Sequence, residues 1–306
     1  MNPSVFVDDD GDILLNLRHV NYTLYHAEHT QKFPTIWGPL SYLHPENDMA
    51  LRTFNYLCRL DPDTLQITDW TQVDFSELNV EPIWEFTGLE DCRVVRWEGE
   101  LFLVGVRRDT TPNGQGRMEF SEIALDKETW TAKEVRRTRI PAPGDDSSYC
   151  EKNWVPILDS SGLFVKWTNP VEVVHADPYR PQCQTVITHS EYIQVADQRG
   201  GSQVVKWGNS RISITHEVNL YNNYLHQKDA VYRHRLCVWD KDMNLIGLSD
   251  PFSFMEAQIE FCAGAAVHGT DLLVSFGYHD SSSFVLRVPF TVVDDMIAEA
   301  LSNVRK

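Results

Sequence analysis

One motif recurs five times along this chain, and it leaves few folds open. A turn built on Gly, Asn, Asp or Ser leads into an apolar strand, and polar residues follow where the strand ends. Asp10-Gly11-Asp12 precedes 13–18, Glu98-Gly99-Glu100 precedes 101–107, and Ser161-Gly162 precedes 163–167. Gly208-Asn209-Ser210 precedes 211–216, and Gly269-Thr270-Asp271 precedes 272–280. Several of these strands are followed by a second hairpin with an acidic turn, at 56–64, 121–129 and 235–242. Two hairpins in about 50 residues is the sequence form of a propeller blade. Five copies in 306 residues predict an all-β chain, one five-bladed β-propeller domain over 1–306. A β-sandwich is the alternative, but sandwiches rarely repeat one phase five times.

Long helical periodicity is absent until 292–301, which reads as a short C-terminal helix. Two stretches do not fit the blades: 25–50, rich in Pro and His, and 217–231. Both read as loops, and long loops on a rigid scaffold tend to carry function.

The net charge of −17 disfavours nucleic acid and anionic membranes as partners, because both need a basic face. The cysteines at 58, 92, 150, 183, 237 and 262 form no CxxC pair and fit no zinc spacing. With no leader pattern and no run of 18 apolar residues, the expectation is free thiols, a cytoplasmic location, and no metal or cofactor. Nine Trp and eleven Tyr suit β-structure and sugar-binding clefts alike.

In a propeller, equivalent strand ends of different blades meet around one pocket. Arg18 and His19, Arg107 and Arg108, Lys166, His216, and His279 with Asp280 hold that phase. Each alone is most often a solvated side chain; a base at this phase in all five blades is less easily accidental. Glu151-Lys152-Asn153-Trp154 and Gln198-Arg199-Gly200-Gly201-Ser202-Gln203 fall between repeats, and the glycines of the second would let backbone approach a ligand closely. Glu90 and Asp91 are adjacent, and strand alternation places them on opposite faces. They are therefore not read as an acid–base pair, and Glu260 is the better distant carboxylate.

A series of short motifs, in order, resembles glycoside hydrolase family 130, the β-mannoside phosphorylases and their relatives. These are Asn2-Pro3-Ser4, Glu90-Asp91-Cys92-Arg93, Glu151-Lys152-Asn153-Trp154, Arg199-Gly200-Gly201-Ser202 ahead of His216, Glu260-Phe261-Cys262-Ala263-Gly264, and His279-Asp280. Together they span nearly the whole chain. Cys92 stands where that family has Pro, and His279 where it has Ala. The resemblance implies that Asp91 is the general acid, protonating the glycosidic oxygen by relay through a sugar hydroxyl. It implies sugar contacts from Asn2, Arg18, Arg93 and Asp280; Glu90, Arg107, Glu260 and His279 are expected at the same substrate site from their places in the repeats and motifs. It implies phosphate binding by Lys152, Lys166, Arg199 and His216. The co-substrate would be inorganic phosphate or a sugar phosphate.

Single-acid chemistry fits this set. Phosphate is already a nucleophile and needs only positive charge to bind, whereas an inverting hydrolase needs a second carboxylate to activate water. A glycosyltransferase using a sugar-phosphate or nucleotide-sugar donor, a glycoside hydrolase, and a non-catalytic sugar-binding propeller remain open. Similar propeller segments occur attached to glycosyltransferases, so such a domain, or a second copy of the chain, is a possible protein partner.

Overall fold

The computed structural model describes residues 2–24, 32–35, 38–42, 51–144, 147–222, 226, 228–279 and 281–304. Five antiparallel sheets form the blades of a five-bladed propeller. The first blade runs Pro3–Val7, Ile13–Val20, Leu51–Leu60 and Ile67–Gln72 from the axis outward. The second is Glu90–Trp97, Glu100–Arg107, Arg117–Asp126 and Thr131–Arg139, and the third is Val155–Pro156, Leu163–Thr168, Val171–Ala176 and Cys183–Thr188. In the fourth, the short pieces Gln198–Arg199 and Val205–Trp207 share the inner position, followed by Ser210–Asn222, Lys228–Trp239 and Leu245–Leu248. The fifth has three strands, Glu260–His268, Asp271–Tyr278 and Ser282–Pro289.

The five recurring turns join the first and second strands of the five blades. Gly11, Gly99, Gly162, Gly208 and Gly269 all sit at positive φ, between 58° and 90°. An added Cβ would meet nothing at Gly11, Gly99, Gly208 and Gly269, so it is backbone conformation that calls for glycine there. The acidic turns after the third strands share a second device. Asp61, Asp126, Asp177 and Asp240 each accept the backbone N–H two residues on, at 2.8 to 3.1 Å, which is the Asx-turn geometry.

Each blade buries both faces, and the apolar core is divided among the five seams. Leu57, Leu89 and Leu103 fill the seam between the first and second blades. Trp97, Phe120 and Phe164 fill the next, Val165, Val173 and Trp239 the third, and Ile214, Leu272 and Phe276 the fourth. Val5, Leu15 and Leu273 close the ring between the fifth blade and the first. The C-terminal helix α1 (Phe290–Val304) buries Val293 and Ala300 in the fourth seam. It is longer at both ends than the apolar periodicity marks.

The two presumed loops are corrected in part. Residues 217–222 and 228–231 extend the second and third strands of the fourth blade, paired from Arg211↔Trp239 out to Asn222↔Lys228. Polar residues such as Glu217, Asn219 and Asn222 interrupt the sequence here, and even Leu220 and Tyr221 are exposed, which hides this hairpin from an argument based on apolar runs. Within 25–50, Lys32–Thr35 and Gly38–Tyr42 pair with each other and, through the latter, with Tyr22–Leu24 as a small separate sheet. The remaining residues of 25–50 lie outside the described residues.

Candidate functional site

Strand direction places the five turns at one end of the propeller and the polar strand ends at the other. At the axis one side chain bonds to inner strands of three other blades. Gln203, fully buried, donates through Nε2 to Ser4 Oγ, Val5 O and Val94 O at 3.0 to 3.2 Å, and its Oε1 accepts Ala265 N–H at 2.9 Å. First, second and fifth blades are thereby tied to the fourth. Gly200 and Gly201 precede it. A Cβ there would lie 1.7 Å from Asn153 O and 2.0 Å from Ile214 O, so their close approach is to neighbouring backbone.

Asp91 is the second residue of the inner strand of the second blade, at φ +48°, a region that Asp tolerates better than most residues. The register with Glu100–Arg107 slips there, Val106 facing Glu90 and Val104 facing Arg93. This is a β-bulge, which re-aims a side chain. It breaks the alternation expected of Glu90 and Asp91. Arg18 Nη1 donates to Asp91 Oδ1 at 2.8 Å while its Nη2 lies 3.9 Å from Glu90 Oε2, so both acids flank one guanidinium. Gly105 makes the bulge possible: a Cβ would come within 2.4 Å of Glu90 O and 3.0 Å of Cys92 Sγ. Gly105→Ala is expected to cost about 1–3 kcal/mol, the usual range for overpacking, and to shift Asp91. Thermal unfolding of that variant, with ligand titration at the site, checks both.

Asn2, nearly buried, donates through Nδ2 to the same Asp91 Oδ1 at 2.8 Å. Arg18 reaches on to Tyr22 OH at 3.2 Å and Thr53 Oγ1 at 3.4 Å. Burial works against ionisation of Asp91, but the Arg18 charge, the Asn2 hydrogen bond and the charges of Arg93 and Lys152 outweigh it. They hold its pKa at about 2. The folded value lies below the model-peptide value of 3.8, so this carboxylate contributes stability above pH 4 that is lost as pH falls toward 2.

Arg93 is buried, with its donors on protein atoms. Nε and Nη2 donate to Gly201 O at 2.9 and 2.7 Å, and Nη1 to Asp91 O at 2.6 Å and Asn153 Oδ1 at 3.3 Å. Its guanidinium lies 5.3 Å over the Phe261 ring. Arg93 therefore knits the blades beneath Asp91. Its charge acts on both Asp91 and His216, which puts these two ends of the site around one cation. His216 stacks on Tyr232 at 5.1 Å and meets Phe261 edge-on at 4.9 Å. Burial, then His234, Arg199 and Arg93, hold its pKa well below the ordinary range, so it is neutral at pH 7.

The other basic groups separate clearly. Lys152 is exposed, its charge acts on Asp91, and it has no ion-pair partner among the described residues. Arg199 is half-exposed and pairs only loosely with Asp197, at 3.4 Å. Lys166 is bound to Glu151 and Glu172, at 3.6 and 3.7 Å. Arg107 is buried between Glu119 at 2.8 Å and Asp109 at 3.4 Å. Glu260 is fully buried and accepts the N–H groups of Phe254, Met255 and Ala257 at 2.6 to 2.8 Å; it clamps that loop. His279, at φ +50°, accepts the Gln258 N–H through Nε2 at 3.3 Å. Asp280 lies outside the described residues.

Five contributors have no place in the sequence reading's substrate and phosphate sets: Asn153, Tyr22, Thr53, Gln203 and Arg108, whose Nε is 3.9 Å from Glu90. Among the described residues no group of three or more His, Cys, Asp or Glu could hold a metal ion. All six thiols are free, and no described helix is long and apolar enough to cross a membrane.

The sequence matches no protein-family model and no curated protein. Solved structures match over nearly the full length. The β-1,2-mannobiose phosphorylase of Listeria innocua aligns over 96% of this chain and 90% of its own, at 12% identity and a TM-score of 0.55. A glycosyl hydrolase from Bacteroides ovatus gives 94% and 83% coverage, 12% identity and a TM-score of 0.55. A family 130 structure described among glycoside hydrolases that target β-1,2 mannosidic linkages in Candida mannan gives 94% and 83%, 12% and 0.59. The likeness to family 130 seen in the motifs thus extends to the architecture, and the chain has the five-bladed propeller fold of these mannoside phosphorylases and hydrolases.

Proposed function

We propose that the chain is a carbohydrate-active enzyme that makes or breaks a mannosidic bond with phosphate as the reaction partner. The observation that carries this reading is Asp91, turned by a bulge into a polar site between Asn2 and Arg18, with the charge of the exposed Lys152 acting on it. The fold shared with a mannobiose phosphorylase supports the substrate class.

In phosphorolysis a phosphate oxygen bonds to the anomeric carbon as the bond to the glycosidic oxygen breaks. The departing oxygen takes a proton delivered through Asp91, which rests as the carboxylate and must first take that proton up from solvent in this direction. In synthesis from mannose 1-phosphate, Asp91 receives the proton of the acceptor hydroxyl and phosphate leaves with its electron pair. Asn2 and Arg18 fix the carboxylate, and Lys152 and Arg199 are the cations with freedom to meet phosphate. Neutral His216 can offer that anion a hydrogen bond but no charge. Hydrolysis is the weaker reading. An inverting hydrolase keeps its two carboxyl groups about 6.5–9.5 Å apart, whereas Glu90 crowds the same guanidinium as Asp91 and Glu260 is spent on backbone.

The deciding assay is phosphate release from mannose 1-phosphate with a panel of sugar acceptors. Acceptor-dependent release supports the reading; turnover with nucleotide sugars alone would replace it with glycosyl transfer. Lys152→Ala is expected to raise the KM for phosphate about tenfold, one lost charge-assisted contact, while leaving the melting temperature within about 1 °C, since the side chain is exposed and has no ion-pair partner among the described residues. Because the resting Asp91 is ionised, kcat/KM for synthesis should show no Asp91-dependent fall between pH 8 and 4. An acid limb centred near pH 6 that vanishes in Asp91→Asn would contradict the pKa given above.

A further inference from the structure

A cavity lies between the first and second blades, lined near the site by Thr53, Thr87 and Gly88. Its volume is about 580 Å³, within the range of small-molecule sites. Thr53, Arg107 and Asp109 line it on the blade side, and Asp74, Ser76 and Asn79 line it on the segment that connects the two blades. Thr53 is also the residue whose hydroxyl meets Arg18, the partner of Asp91. One guanidinium therefore links the cavity to the reaction centre.

The walls are fixed by backbone. Val73 N–H donates to Asn55 O, Asp74 exchanges bonds with Ala132 and Glu134, and Ile83 N–H donates to Asp109 O, all at 2.9 Å. The connecting segment is thus pinned to both blades. Such a cavity is preformed and binds with little ordering cost. One wall group is left wanting. Asp109 is 6% exposed; its Oδ2 accepts the Gly88 N–H at 2.7 Å and faces Arg107, but its Oδ1 accepts nothing. A buried acceptor without a donor is costly, and a hydroxyl-bearing ligand supplies one. Carboxylates, an amide and hydroxyls with the rings of Phe54 and Phe75 nearby suit a neutral sugar ring better than an anion.

We infer that this cavity is a distal subsite for the same carbohydrate, so that the favoured acceptor is an oligosaccharide whose far residues lie between the first two blades. The inference rests on the reading of Asp91 as a carbohydrate site. Ser76 is exposed, so Ser76→Trp fills the cavity mouth with little risk to folding.

The test measures binding of manno-oligosaccharides of two to six sugars to the catalytically silenced Asp91→Asn chain, by calorimetry, with and without Ser76→Trp. Affinity should rise about tenfold or more with chain length in the first, and Ser76→Trp should abolish the rise while sparing the disaccharide. Asp109→Asn, with its melting temperature checked, should cut the same increment. Length-independent binding, or equal weakening of all lengths by Ser76→Trp, overturns the distal subsite. Length-dependent binding together with no turnover by the unmodified chain would keep the subsite and remove the phosphorylase reading instead.

Discussion

Asp91→Asn should lower the rate of glycosyl transfer to or from phosphate by about 10²–10⁴-fold, the span of a lost proton-transfer group, with substrate binding largely kept. The replacement is well suited to isolate chemistry from folding. Asn has the size of Asp and tolerates φ +48° at least as well. Its Oδ1 can still accept from Asn2 and Arg18. What disappears is the negative charge between those two donors. Arg18 loses its closer carboxylate and keeps Glu90 at 3.9 Å, and since breaking a buried ion pair costs up to about 3–5 kcal/mol, this partly exposed one should cost about 1–3 kcal/mol. Initial rates and a thermal melt on the same sample separate the two effects. Residual activity above a tenth of the original, in a folded variant, would remove Asp91 from the proton path.

Gln203→Leu is expected to be the most destabilising single change considered for this chain, though it touches no reacting atom. Leu nearly preserves volume but leaves Val5 O, Val94 O and Ala265 N–H buried without their partner. Each buried group so abandoned costs about 1–3 kcal/mol, so the sum over the three is roughly 3–9 kcal/mol, a large share of a typical stability of about 5–15 kcal/mol. A fall in melting temperature of about 6–36 °C follows from the usual scaling of about 2–4 °C per kcal/mol for a large domain. Because Ser4 also loses its Gln203 contact, Asn2 two residues earlier should loosen, and activity should fall before unfolding begins. A melt unchanged within about 2 °C would mean that water replaces the amide at the axis.

Much of the architecture was legible because propellers advertise themselves by period. The five glycine turns are read from sequence since positive φ leaves so few alternatives, and they fixed both blade count and strand polarity. The site was legible in its membership less than in its roles. Asp91, Asn2 and Arg18 do come together. Their neighbours divide by burial, which no spacing reveals: Arg93 and Glu260 are spent on backbone, and Lys166 and Arg107 on other side chains. The shared face of Glu90 and Asp91 was misread because alternation assumes regular strand, and the bulge is encoded across the ladder in Gly105. Gln203 was quoted only as the end of a glycine-rich stretch; its four partners are 62 to 199 residues away, beyond the reach of any local pattern. The hairpin over 217–222 and 228–231 was missed for the opposite reason: 219–222 are exposed and carry no apolar run, although their backbone is paired in register.

Every blade is drawn from one continuous stretch of chain, so the ring is fastened by side chains and not by a strand exchanged between its two ends. Ser275 does the fastening, accepting Val5 N–H at 2.9 Å and donating to Pro3 O at 2.8 Å, while a side chain at Gly264 would collide with Val5 N at 2.3 Å. Four blades can therefore mature during synthesis, each from local contacts that form quickly, while the segment made first waits at the axis for the segment made last. Asn2 is one residue before that seam and bonded to Asp91 at 2.8 Å, so on the proposed reading the acid is fixed in place only in the closed ring, although the fifth blade lends no described residue to the set around Asp91.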